Sequence, residues 1–207
     1  MALTKVRGKG LGTLGDGTAS DNSIVFDGNA QDFHIGLDDS ADSLTIGLGS
    51  ALGTTSHMVF DATGAITKPL QPAFLVHPAS NQDNISTGAT TVVFGTERFD
   101  QNGDFASNTF TAPVTGKYLL TYSLYLEDMP NDSTYIETWL DTSNTRDYYH
   151  SIDPRGFDTV PIIVSMSAAH LVDLDANDTV VLKITQAAGT TSLDINTASH
   201  FSGYLVC

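Results

Sequence analysis

Two textures of hydrophobic patterning divide the chain. Up to about residue 68, apolar positions come in short bursts broken by turn residues: Ser23-Ile-Val-Phe26, Phe33-His-Ile-Gly36, Leu44-Thr-Ile-Gly47 and His57-Met-Val-Phe60. The bursts recur loosely. Phe26-Asp27 and Phe60-Asp61 lie 34 positions apart, the first followed at once by Gly28 and the second by Gly64 three positions on, and two of the bursts share an apolar-x-Ile-Gly form 11 positions apart. Strands of three or four residues cannot bury a face alone, because a lone hairpin is marginal in water. Copies stacked side by side can. The pattern therefore predicts an intertwined β-shaft of three identical chains, against the simpler alternative of a small monomeric β-meander.

Beyond Lys68-Pro69-Leu70-Gln71-Pro72 the bursts lengthen. Two prolines within four residues resist helix and sheet and make an extended connector. Thr90–Phe94, Tyr118–Leu126, Tyr135–Leu140, Val160–Met166, His170–Leu174, Thr179–Ile184 and Phe201–Val206 are β-branched, aromatic or alternating runs separated by turn residues. Asn102-Gly103 is the strongest two-residue turn pair. No stretch holds a 3.6-residue period. About eight strands at this spacing predict an all-β, two-sheet jelly-roll sandwich. The expected organisation is an arm at 1–20, a β-rich shaft at 21–68, a linker at 69–72 and a jelly-roll head at 73–207.

Composition supports a β-rich, turn-rich protein: 18 glycines, 41% hydrophobic and only 16% charged residues. Charge narrows the partners. With 24 acidic and 9 basic residues the net charge is -15, which repels phosphate backbones and anionic lipid, so neither nucleic-acid binding nor membrane insertion is expected. Lys5, Arg7 and Lys9 lie in an acid-free stretch of nine residues. A cationic arm on an anionic body is a candidate docking element, and a frayed, solvated terminus would look the same. Cys207 is the only cysteine, which excludes an intrachain disulfide framework. Met1–Gly10 has no apolar core of a secretory signal, so synthesis in a cytoplasm is expected.

Four motifs then fall in an informative order. Pro72-Ala73-Phe74, the run Phe105-Ala-Ser-Asn-Thr-Phe-Thr-Ala-Pro-Val-Thr-Gly-Lys-Tyr118, the segment Leu171–Val180 and Phe201-Ser-Gly-Tyr-Leu-Val206 resemble the trimeric heads of complement C1q and its tumour-necrosis-factor relatives. The counterparts there are the opening, an F-T-A-P-x-x-G-x-Y signature, an L-x-x-G-D-x-V turn and a closing F-S-G-F-L-L strand. The resemblance spans about 135 residues. Each motif also has a physical reason. Pro113 and Gly116 turn the chain into a central strand, Tyr118 plants a ring in the core, and Gly203 permits close backbone approach. Asn177 stands where the family prefers glycine, and asparagine tolerates the left-handed conformation; Leu120 replaces an aromatic. The resemblance implies a homotrimer with one sheet of each subunit round a three-fold axis, and it carries over no particular ligand. The N-terminal stretch resembles phage tail-fibre and head-fibre shafts, through its V-F-D-x-x-G and L-T-I-G phrases. Its opening looks like the virion-attachment end of such fibres, which gives Lys5, Arg7 and Lys9 that role.

Candidate sites follow. Asp100, Asn102 and Asp104 place side-chain oxygens at alternate positions, a spacing that would suit calcium and equally an ordinary turn. The six histidines show no metal-ligand spacing. Arg146, Tyr148, Tyr149, His150 and Arg155, with Trp139 nearby, form the segment richest in recognition residues. They are read as a receptor or glycan contact, or as a seal at the trimer interface. No nucleophile elbow, phosphate-cradling loop or paired-carboxylate context appears, so an enzyme is not expected. The combined expectation is a structural phage virion fibre or spike, docked on tail or capsid proteins by its N-terminus and presenting its head to the host surface. The competing expectations are a capsid decoration or head-fibre protein and a bacterial lectin with a C1q-like head.

Overall fold

The structure is a computed structural model that describes residues 14–207, which fall into two compact units divided between Leu70 and Gln71. Lys5, Arg7 and Lys9 lie outside the described residues.

The first unit is a five-stranded antiparallel sheet of β1 (Asn22–Phe26), β2 (Phe33–Asp38), β3 (Ser43–Leu48), β4 (Ser56–Phe60) and β5 (Ile66–Thr67), paired in chain order. The short strands expected to need other chains thus find partners within their own chain. Local turn chemistry makes this possible. Asp38 Oδ1 accepts from Ala41 N at 3.2 Å, and Asp61 Oδ1 accepts from Thr63 N and Ala65 N at 2.8 and 2.9 Å, so side-chain carboxylates close the hairpins. Register aligns the apolar positions into three cross-strand rows on one face: Phe26–Phe33–Leu48, Ile24–Ile35–Ile46–Met58 and Leu37–Leu44–Phe60–Ile66. The opposite face carries His34, Asp38, Ser43 and Thr45, which are buried although polar. The segment from Gly49 to Thr55 covers them: Gly49 O bonds His34 Nδ1 at 2.9 Å, and Leu48 N donates to Thr55 O at 2.9 Å. Gly47 has no room for a side chain there, because a Cβ would run into Thr55 O and the His34 ring.

The second unit is a two-sheet sandwich. One sheet has the order β13-β12-β15-β10-β9, with β7 also on β15; the other has the order β14-β11-β17-β6-β8, with β16 also on β11. These strands are β6 (Ala73–His77), β7 (Thr90–Thr91), β8 (Thr96–Asp100), β9 (Phe105–Ala106), β10 (Thr109–Thr111), β11 (Gly116–Glu127), β12 (Tyr135–Thr142), β13 (Tyr148–Ile152), β14 (Ile163–Leu174), β15 (Thr179–Ala187), β16 (Asp194–Ile195) and β17 (His200–Leu205). Inward positions alternate with outward ones, as in β11, where Tyr118, Leu120, Tyr122, Leu124 and Leu126 are buried and the residues between them are not. Core rings cluster on Phe74, whose centroid lies 4.9 Å from Phe110, 5.2 Å from Phe105 and 5.1 Å from Phe201. Tyr118 is buried and its hydroxyl donates to Val114 O at 2.6 Å, so the ring sits in the core with its polar end satisfied. A Cβ on Gly203 would strike Leu120 and stand 2.9 Å from the Phe74 ring. Asn177 takes φ 74°, the left-handed conformation expected of it.

The run expected over Thr90–Phe94 is a strand only at Thr90–Thr91, and two connections differ from the sequence reading. Ile163–Met166 and His170–Leu174 belong to one continuous strand, because β14 follows the full length of β11 and the Ser167-Ala-Ala169 step between them holds no turn former, whereas Val160–Ile162, expected to open the first of these strands, lie outside it. Asn102-Gly103 does make a turn, with Gly103 at φ 73°. It joins β8 to β9, which lie in different sheets, so it is a crossing of the sandwich and not a hairpin.

Candidate binding surface

The six predicted recognition residues separate into distinct environments. Residues 148–152, not among the runs read from sequence as strands, form strand β13 paired to β12, so neighbouring side chains point to opposite faces. Tyr149 and Trp139 are cross-strand partners on the outer face, their rings stacked at 5.8 Å and 18°. Tyr149 is 55% exposed and covers much of Trp139, and its hydroxyl donates to Asp147 Oδ2 at 3.2 Å. Tyr148 and His150 point the other way. Tyr148 packs on the core, 5.1 Å from the ring of His170, and His150 Nδ1 and His170 Nε2 are buried with no hydrogen-bond partner. Burial, and then the nearby His150, lower the His170 pKa.

The two arginines are held by the head itself. Arg146 Nη1 donates to Asp173 Oδ2 at 2.7 Å, and Lys117 pairs with the other oxygen, which together keep the Asp173 carboxyl below its usual range. Arg155 clamps Asp153 through two bonds of 2.9 and 2.7 Å in the Pro154–Gly156 turn and lowers that carboxyl to about 2. Both pairs are exposed, so they orient side chains more than they stabilise the fold.

Sequence reading missed the neighbours that complete the outer face. Trp139 lies between Tyr149 on β13 and Lys183 on β15, and Lys183 pairs with Asp141. Glu137 lies opposite Ser151, whose hydroxyl donates to it at 2.5 Å. The result is an aromatic step ringed by Glu137, Asp141, Asp147, Lys183 and Ser151. Only the period-2 alternation of Tyr135–Leu140 hinted at it. Chemically, such a face offers an aromatic plane for the C–H face of a sugar or an apolar side chain, with hydrogen-bonding groups at its rim. Its three carboxylates disfavour an anionic ligand.

The other sheet presents a different outer surface. Phe99, Leu171 and Tyr204 are 50–59% exposed beside Leu119, and a groove of about 360 Å³ runs between Phe99, Leu119, Thr121 and Tyr204. Toward the far end of β6 the face turns polar, with a groove of about 650 Å³ along His77, Arg98 and His200.

At the calcium-like motif, Asp100 Oδ1 and Oδ2 accept from the backbone N–H groups of Asp104 and Phe105 at 3.0 and 2.9 Å, which uses that carboxylate in the turn. Among the described residues no group of three or more His, Cys, Asp or Glu is arranged to hold a metal ion. Burial, and then the Asp100 charge, raise the Asp104 carboxyl. A carboxyl whose folded pKa lies above its unfolded value adds stability at low pH, and that contribution is lost as pH rises through the folded value. Asp104→Asn is therefore expected to raise the thermal unfolding midpoint at pH 7 and to leave it unchanged near pH 3. A calcium ion held there would give the opposite sign in added calcium.

Two antiparallel sheets packed face to face over one aromatic and aliphatic core define a jelly-roll sandwich. The chain belongs to the C1q domain family, whose model matches residues 73–206. Domains of the wider C1q and tumour-necrosis-factor group are in general non-enzymatic, form homotrimers and bind receptors. The fold is similar to the globular domain of zebrafish complement 1qA protein, at 20% identity and TM-score 0.50, over 66% of this chain and 98% of that one. It is likewise similar to murine APRIL, at 12% identity and TM-score 0.50, over 66% of this chain and 99% of that one. No curated protein sequence matches the chain.

Proposed function

We propose that this protein is a homotrimeric structural fibre or spike of a bacteriophage virion, whose head binds a host-surface receptor or glycan. The observation that carries the binding half is the separation of two outer surfaces on one sandwich. The apolar part of the β14-β11-β17-β6-β8 face, with Phe99, Leu171 and Tyr204 in water, suits burial against identical heads round a three-fold axis. The Tyr149–Trp139 step lies on the opposite sheet, where trimerisation of that kind leaves it open. Three such faces on one particle add avidity, which suits weak contacts to repetitive glycans. The virion half rests on the fibre-like phrases of the first 68 residues and on the cationic stretch of Lys5, Arg7 and Lys9. The test is a phage carrying the protein without residues 72–207. Intact particles that adsorb at least tenfold more slowly would support the reading. Normal adsorption would overturn host recognition, and particles that fall apart would point to the decoration alternative.

A further inference from the structure

The first unit is inverted relative to an ordinary sheet. Its polar face is covered by its own chain, and its apolar face is open. The three rows on that face contain eleven apolar residues and no charge. Six of them, Ile24, Phe26, Phe33, Leu37, Leu44 and Ile66, are 42–60% exposed. At about 150–250 Å² per side chain this leaves on the order of 600 Å² of apolar surface in water, at the upper end of what a monomer carries. A stable interface takes about 800 Å² from each partner.

We infer that this face is closed by the same face of other copies of the chain, three meander sheets meeting with their apolar rows inward. Three observations select identical copies as the occupant. The face is uncharged, so it offers nothing to a partner recognised by charge. Closing it inward keeps the turn carboxylates Asp27 and Asp61 in solvent, where desolvation costs nothing. Last, the unit is joined to the head by a linker of a few residues, so a trimeric head would hold three copies at an effective concentration near millimolar. The inference rests on the trimeric reading above and sharpens it. The shaft would be built by sheets packing face to face, not by strands exchanged between chains.

Cys207 is the only cysteine, so Cys207→Ser makes a thiol-free full-length background. Into it go, separately, Ile46→Cys at the centre of the rows, Leu44→Cys, whose side chain is already 42% exposed in the single chain, and Ser23→Cys on the opposite face as a control. A small maleimide and a short bis-maleimide cross-linker are the probes. The expected result is labelling at positions 46 and 44 at least tenfold slower than at position 23, with cross-links between chains from position 46. Labelling as fast as at position 23 would overturn the inference. So would protection without interchain cross-links, since the cover would then come from the same chain. Native mass of the same samples keeps the two readings apart. A trimer with open thiols defeats this inference alone, and a monomer defeats the trimeric reading with it.

Discussion

Phe74→Ala is expected to cost the head about 3–5 kcal/mol, the range for truncating a buried aromatic, and to be the most damaging single core change. Phe74 has under 2% of its surface exposed and touches three other rings, Phe105, Phe110 and Phe201, drawn from both sheets. Its removal opens a cavity at the point where the sheets interlock, beside the side-chain-free Gly203, and backbone held in two ladders cannot collapse into it. Because whole domains are stable by only about 5–15 kcal/mol, a fifth or more of the margin would go. Trp139 is the only tryptophan and lies on β12, so its fluorescence reports unfolding of the head in denaturant. Measurements at one fixed protein concentration hold the mass-action term of association constant between variants. Phe99→Ala is the informative contrast. Phe99 is 50% exposed on the outer face, so its loss should leave the fold intact and weaken assembly, seen as a lower trimer fraction at equal concentration. If the two substitutions lower the denaturation midpoint alike, this division of core from interface is wrong.

Tyr149→Ala is expected to weaken binding to host cells by about 30-fold per head or more, the roughly 2 kcal/mol of a binding hot spot, with little change in unfolding. Tyr149 is mostly in solvent and its one polar contact is to Asp147, so the fold loses little with it. The ligand would lose the aromatic plane stacked on Trp139. Three heads acting together amplify the deficit, so adsorption should fall more steeply than the affinity of one site. Tyr148→Ala should behave in the opposite way. That ring packs on the core beside His170, so its loss should lower stability first. Equal binding defects in the two variants at matched stability would show that the segment acts as a whole and that its strand alternation does not sort the roles. Trp139→Ala is less clean, because Trp139 is only 8% exposed and would cost stability as well as contact area.

Among the sequence-legible features, those that hold in the structure have local causes. Asn177 is left-handed because its short side chain tolerates that backbone, and Tyr118 enters the core with its hydroxyl on Val114 four residues back. Gly203 sits where any side chain would collide with Leu120 and Phe74. The candidate binding residues were less legible. Trp139 and Tyr149 do meet, but Tyr148 and His150 face away from them, and Arg146 and Arg155 are engaged by Asp173 and Asp153. A segment rich in tyrosine and arginine shows that recognition chemistry is present, and alternation separates its members only once the segment is known to be a strand.

Sequence by itself determined an all-β chain in two segments with a break near Pro69 and Pro72, a head of C1q type, and short apolar bursts such as Phe33-His-Ile-Gly36 and Leu44-Thr-Ile-Gly47. These follow from conformational preferences acting over a few residues. Only the tertiary structure decided which face each pattern turns to what. Alternation places side chains of one strand on two sides, but pairing register lines up the sides of neighbouring strands, and the loop from Gly49 to Thr55 settles which side of the first sheet is covered. That is why a unit whose strands looked too short to stand alone proves to be a paired meander, with its apolar rows still facing water.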